Sequence, residues 1–136
     1  MCLFKKRHTF IWEDISIFEF TYTTGNMMNA EVFFKLTLED GAYKASYKKS
    51  GVPVEKAEVH TVDSDFAVRL GALLKSFSVE KWDGFKKSDK HVLDGYSFHA
   101  YIRNLKGQRI SALGYMKWPK NYNEVKSALT ELYTKL

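Results

Sequence analysis

Four histidines, three aspartates in one loop and a strand-like row of aromatic and arginine side chains are the groups in this 136-residue chain whose types and spacing could do chemistry. His8, His60, His91 and His99 are scattered, with no HExxH and no close His/Cys pair. A zinc site needs several such ligands converging, so they read as single polar side chains, His60 and His99 on sheet faces. Asp83, Asp89 and Asp94 invite a calcium-loop reading. They lack the alternating acids and closing Glu of an EF-hand, and Lys86, Lys87 and Lys90 among them oppose a cation. The same lysines remove any argument for a raised carboxyl pKa, which a paired-carboxylate enzyme would need. No GxSxG, phosphate-cradling glycine loop or GxGxxG occurs, and nothing in the position of Ser111 marks it as a nucleophile. The lone Cys2 excludes a disulfide framework and a Cys-based zinc site. The expectation is no metal, no cofactor, and a domain that binds rather than catalyses.

Three binding constellations remain. Tyr101, Arg103, Arg109 and Tyr115 fall on one face of a predicted hairpin, where rings can stack bases and cations hold phosphates. The segment lacks the RNP1 pattern of a sheet-surface RNA binder. If helices cover the opposite face, Phe33, Tyr101 and Leu113 emerge as a partner surface, unless the N-terminal segment covers them. Finally, segments 25–29, 82–85 and 116–120 each couple a backbone-shaping or small polar residue to a large aromatic or Met side chain. Their apolar groups need tertiary partners. We expect them at one sheet edge, forming a shallow cleft with Trp82 beside it. Asn26 and Lys117 would stand at its rim, with Tyr115 and Trp118 as its floor. The competing reading has Trp82 and Trp118 plug one end of the core, their indole N–H groups bonded to loop carbonyls.

The elements that must position these groups follow from periodicity. Residues 15–24, 30–38 and 42–48 are rich in β-branched and aromatic residues and alternate with period two. Asp40-Gly41 marks a tight hairpin between the second and third. Residues 57–62 form a further short strand candidate. Asp63 N-caps a helix whose stripe is Phe66, Leu70, Leu73, Leu74 and Phe77. Gly71 within it suggests close packing. A polar segment, 79–94, leads to the hairpin 94–120, turned at Asn104-Leu105-Lys106-Gly107. Its middle is small (Ala100, Ala112, Gly114), so a helix can approach there, and the hairpin should sit inside the sheet. The last helix begins at Asn121, with Glu124 as a capping-box partner and Val125, Leu129, Leu132 and Leu136 as its stripe. The fold expected is α+β: a mostly antiparallel sheet of five to six strands with two amphipathic helices packed on one face, order βββ(β)αββα. Residues 1–14 form an N-terminal arm or edge segment, and 15–136 a single domain.

Composition agrees. Hydrophobic residues make up 45% and aromatics 15%, which argues for a packed core, and the net charge of +5 is spread in twos and threes rather than in a nucleic-acid-binding run. No apolar run approaches the ~18–20 residues of a membrane helix. As it stands the chain reads as cytoplasmic, and as extracytoplasmic if its start is trimmed.

The stretches GYMKWPKNYNEV (114–125), KWDGFKKSDKHVLDG (81–95) and TYTTGNMMN (21–29) resemble an uncharacterised bacterial domain found in secreted or lipid-anchored proteins of Gram-positive gut bacteria. The likeness spans about residues 15–136. It implies an extracytoplasmic setting and brings no catalytic residue or cofactor. One departure is that only Met1 precedes Cys2, where a lipobox needs an apolar stretch. The function expected is a non-catalytic binding domain for a protein or cell-surface ligand, with an RNA- or DNA-binding module using the aromatic and basic sheet face as the alternative.

Overall fold

The computed structural model describes residues 9–25, 28–89, 91 and 95–136. The elements run β1 (Ile15–Thr23), β2 (Glu31–Glu39), β3 (Ala42–Lys48), β4 (Glu58–Val62), α1 (Ser64–Ser76), β5 (Lys86–Ser88), β6 (Ser97–Asn104), β7 (Arg109–Tyr115) and α2 (Tyr122–Thr134), with 3-10 turns at Val54–Lys56 and Val79–Trp82. One seven-stranded sheet has the order β4-β3-β2-β1-β6-β7-β5, antiparallel except that β5 runs parallel to β7.

The class is α+β, as expected, but there are seven strands rather than five or six, and the order is ββββαβββα. The extra strand is β5. Its three residues are all exposed and carry no apolar alternation. Backbone bonds to β7 hold it: Leu113 N–H donates to the Phe85 carbonyl and Asp89 N–H to that of Tyr115, both at 2.9 Å. A strand made by its neighbour's edge leaves no local signal. The hairpin β6/β7 does lie inside the sheet, but β1 is the central strand. Phe20 of β1 faces Phe34 on one side and Ala100 on the other.

Turn chemistry explains the tight connections. Asp40 (φ 52°) and Gly41 (φ 80°) are both left-handed, as a two-residue type I′ hairpin requires. At the other hairpin, Gly107 N–H donates to the Asn104 carbonyl and Gly107 takes φ 85°. The buried Asn104 amide then works in both directions. Its oxygen accepts from Lys106 and Gln108 N–H, while its Nδ2 donates to the Ile11 carbonyl and to Gln108 Oε1. Gln108 in turn binds the Ile11 N–H and the Thr9 carbonyl. The turn thus holds the N-terminal segment, and Phe10 and Trp12 are buried in the main core.

Alternation puts one sheet face into that core: Phe18 and Phe20, Phe34 and Leu36, and Phe98, Ala100 and Ile102, at steps of two residues. Phe66, Leu70 and Leu74 of α1 and Val125, Leu129 and Tyr133 of α2 join the same cluster, so both helices cover the same face. Burying each such side chain contributes about 1.5–3 kcal/mol. Asp63 caps α1 by accepting from Phe66 N–H at 3.1 Å. A Cβ at Gly71 would collide with the Trp12 carbonyl, which accounts for glycine inside a helix.

Two expectations for α2 are corrected. Asn121 is left-handed (φ 68°) and makes no side-chain cap; its Nδ2 donates to the Phe77 carbonyl at 3.0 Å, tying α2 to the end of α1. No capping box forms, because the αL backbone turns the side chain away from the helix. The buried stripe also runs through Tyr133, while Leu136 is exposed. Tyr133 packs against Phe34, Tyr47 and Phe66 (centroids 5.2, 6.4 and 5.3 Å) and its hydroxyl donates to the Lys35 carbonyl. On the hairpin's small-residue face, the first turn of α2 reaches Phe98 through Tyr122 (5.0 Å), and β7 has the 3-10 turn Val79–Trp82 beside it. Gly114 is small because the Lys117 carbonyl and the Phe98 ring occupy the space of a Cβ.

Candidate binding groove around Trp118

β7 ends abruptly. Met116 is left-handed (φ 57°), its N–H donates to the Tyr96 carbonyl, and Pro119 then prevents further strand pairing. The exit loop carries Trp118 outward over the end of the core. Beneath the loop lies Trp82, 3% exposed, its indole N–H donating to the Lys120 carbonyl at 2.9 Å. Phe20, Phe98 and Tyr122 surround Trp82 with ring centroids at 6.3, 6.1 and 6.2 Å. Trp118 is 40% exposed and leans on Tyr122 at 6.0 Å.

Two hollows share Trp118 as a wall. One, of roughly 340 Å³, has Trp82, Phe85 and Pro119 as apolar lining and Lys81, Lys87 and Lys120 around it. The other, of roughly 280 Å³, is lined by Tyr22, Tyr96 and Tyr122, with Thr23, Asn123 and Lys126. The Lys126 ammonium stands 4.4 Å from the Tyr22 ring centroid and 5.4 Å from that of Tyr122. Burial holds it below the usual lysine range. Burial also pushes the Tyr122 phenol up, helped by Tyr22 and opposed by a side-chain hydrogen bond from Trp118. The groove therefore offers aromatic surface, hydroxyl and amide groups, and ammonium ions.

Two of the three segments expected to form a cleft meet here, and Met28 of the third is 86% exposed. Segments 82–85 and 116–120 share the first hollow, and Gly25 comes to the Tyr96 ring beside the second. Trp118 lines both hollows and Trp82 forms the floor of one. Asn26 lies outside the described residues. Lys117 is exposed and lines neither hollow. Tyr115 is not floor. Alternation turns it to the face opposite Gly114, where its hydroxyl accepts from Gly95 N–H at 2.8 Å. Sequence reasoning missed Tyr22, Tyr96, Tyr122 and Lys126. The one local signal was the spacing of Tyr122 and Lys126, which puts them on one face of a helix.

The sheet face without helices is less apolar than expected. Phe33 is only 6% exposed, with the Lys35 ammonium 4.4 Å from its ring centroid and the buried Lys48 opposite it on β3. Leu113 is 44% exposed and Tyr101 half-buried. In register, Thr21 and His99 stand between Phe33 and Leu113, separating them by roughly 14 Å at ~4.8 Å per strand. Tyr101 lies in the next row, between Glu19 and Ser111. These three residues form no single patch. Arg103 and Arg109 face each other across the hairpin, both exposed and, among the described residues, in no ion pair.

Of the remaining candidates, His60, Asp83 and Asp89 have structural partners. His60 lies 3.1 Å from Glu58, on a strand separated from His99 by β3, β2 and β1. Asp83 accepts from Ser111 N–H and Asp89 from His91 N–H. His8 and Asp94 lie outside the described residues, among which no cluster of His, Cys, Asp or Glu could hold a metal. No described helix is long and apolar enough to cross a membrane. A further hollow, roughly 730 Å³, lies where Phe10 and Trp12 meet Lys75, Lys81, Glu80 and Asp83. Its charges are mixed and its aromatic walls are core residues, so it presents no exposed anchor.

Comparison of the chain with protein-family models and with curated proteins gives no match.

Proposed function

We propose that this chain is a non-catalytic binding domain whose protein or cell-surface ligand lies across Trp118. One observation carries the reading: a large indole remains 40% exposed, held by Tyr122, with a hollow on either side. Aromatic anchors beside a few polar groups are what binding sites use, and tryptophan is over-represented among residues that dominate binding energy. The resemblance to a domain of secreted or lipid-anchored bacterial proteins favours a ligand met outside the cell. The test is Trp118→Ala screened beside the wild type against a cell-surface glycan array and a panel of surface proteins. A ligand retained by the wild type and lost by a folded mutant supports the site. A mutant that unfolds makes Trp118 a core residue and removes it.

A second reading, RNA or DNA binding on the helix-free face, draws on Arg103 and Arg109, in no ion pair among the described residues, with Tyr101 one row away. Binding to a random oligonucleotide that weakens linearly in log salt, and is lost in Arg103→Gln, would favour it.

A further inference from the structure

The described residues lining the two hollows include four lysines and no carboxylate: Lys81, Lys87 and Lys120 on one side of Trp118, and Lys126 on the other. None of the four is in an ion pair among the described residues. Lys126 and Lys87 instead stand near rings, Lys87 at 5.3 Å from the Phe85 centroid. An ammonium has three donors, and a ring face satisfies few of them. From this we infer that the groove takes an acidic peptide segment, its carboxylates on these lysines and one apolar side chain in the hollow over Trp82 and Phe85. The inference rests on the reading of the groove as a ligand site and adds the chemistry of the ligand.

Three observations favour a peptide over a nucleic acid. Among the described lining residues only Tyr96 and Trp118 present widely exposed rings, and Trp118 has Tyr122 against it, so a stack of bases finds no run of platforms. No arginine, the residue suited to bidentate phosphate contact, is among the described lining residues. The 340 Å³ hollow is a pocket suited to a single side chain rather than a track. Burial of Lys126 adds to the argument, because a carboxylate arriving there would relieve a cation that is losing water without gaining a counter-charge.

The test is selection of a random ten-residue peptide display library on the wild-type chain, with counter-selection on Trp118→Ala, and a random single-stranded DNA pool run in parallel. The inference expects retained peptides enriched in Asp and Glu, depleted in Lys and Arg, and carrying one Leu, Ile, Met or Phe. Replacing the acids of a selected peptide by Asn and Gln should weaken binding at least tenfold. Lys126→Gln and Lys87→Gln, both changes outside the core, should each weaken it about three- to fivefold, as partly exposed ion pairs do. Retained peptides that are neutral or basic, or DNA retained in a Trp118-dependent manner, overturn the inference while leaving the groove as a site. If neither library separates wild type from a folded Trp118→Ala protein, the groove is not a site; if Lys126→Gln and Lys87→Gln bind a selected acidic peptide as the wild type does, the charge assignment is wrong.

Discussion

The Trp82 indole N–H donates to the Lys120 carbonyl at 2.9 Å, so the loop that exposes one tryptophan is fastened down by another. The two rings, so similar in composition and context, divide between core and surface.

That division predicts opposite outcomes for truncation. Trp82→Ala should cost about 3–5 kcal/mol, the range for emptying a buried indole site. Trp118→Ala should cost no more than about 1 kcal/mol while removing ligand binding. Urea denaturation of the two variants measures both, and equal midpoints would contradict the assignment.

The Asn104 amide makes two donor and two acceptor contacts, joining the hairpin turn to the N-terminal segment. Asn104→Ala strips all four and leaves backbone groups inside the fold unpaired. A loss of about 2–4 kcal/mol is expected, at the net worth of about 1 kcal/mol per bond. Hydrogen exchange at Lys106 and Gln108 N–H should accelerate beyond what the global change explains.

Tyr133 sets an alkaline limit. Burial pushes its phenol far above the ordinary 10.0, and Tyr122 is raised by the same cause. In that range the unfolded chain has lost protons that the folded one keeps. Stability is therefore fully present below pH 10.0 and falls as pH rises from there toward the folded values, by up to about 1.4 kcal/mol per pH unit for each such group. Tyr133→Phe loses the bond to the Lys35 carbonyl and should cost about 1 kcal/mol at neutral pH. Its denaturation curve should nevertheless be flatter above pH 10.0 than that of the wild type; parallel curves would refute the burial argument.

Arg103 and Arg109 face each other on the same sheet face without acids between them. Directly opposed like charges are destabilising, so Arg109→Gln should stabilise by roughly 0.2–1 kcal/mol at low ionic strength. The gain should shrink in 1 M salt, where the screening length is about 3 Å. A salt-independent gain would point to a cause other than charge.

The sequence by itself determined the local pieces. Asp40-Gly41 specified a two-residue hairpin because few other dipeptides tolerate two positive φ angles. Alternation in β1 to β3 told which side chains face inward, and Asp63 announced α1 by the one hydrogen bond its side chain makes. That Trp82 needed a tertiary partner was also legible from its apolar side chain, whereas Met28 is 86% exposed and Trp118 40%. Only the tertiary structure decided the rest: that β1 is central, that Lys86–Ser88 is a strand, and that Phe33 is buried on the helix-free face. The physical reason is range. Turns, caps and alternation are energies of neighbouring residues, whereas strand partners, ring cages and the choice of which indole keeps its water depend on surfaces brought together from more than thirty positions apart, as Trp82 and Lys120 are.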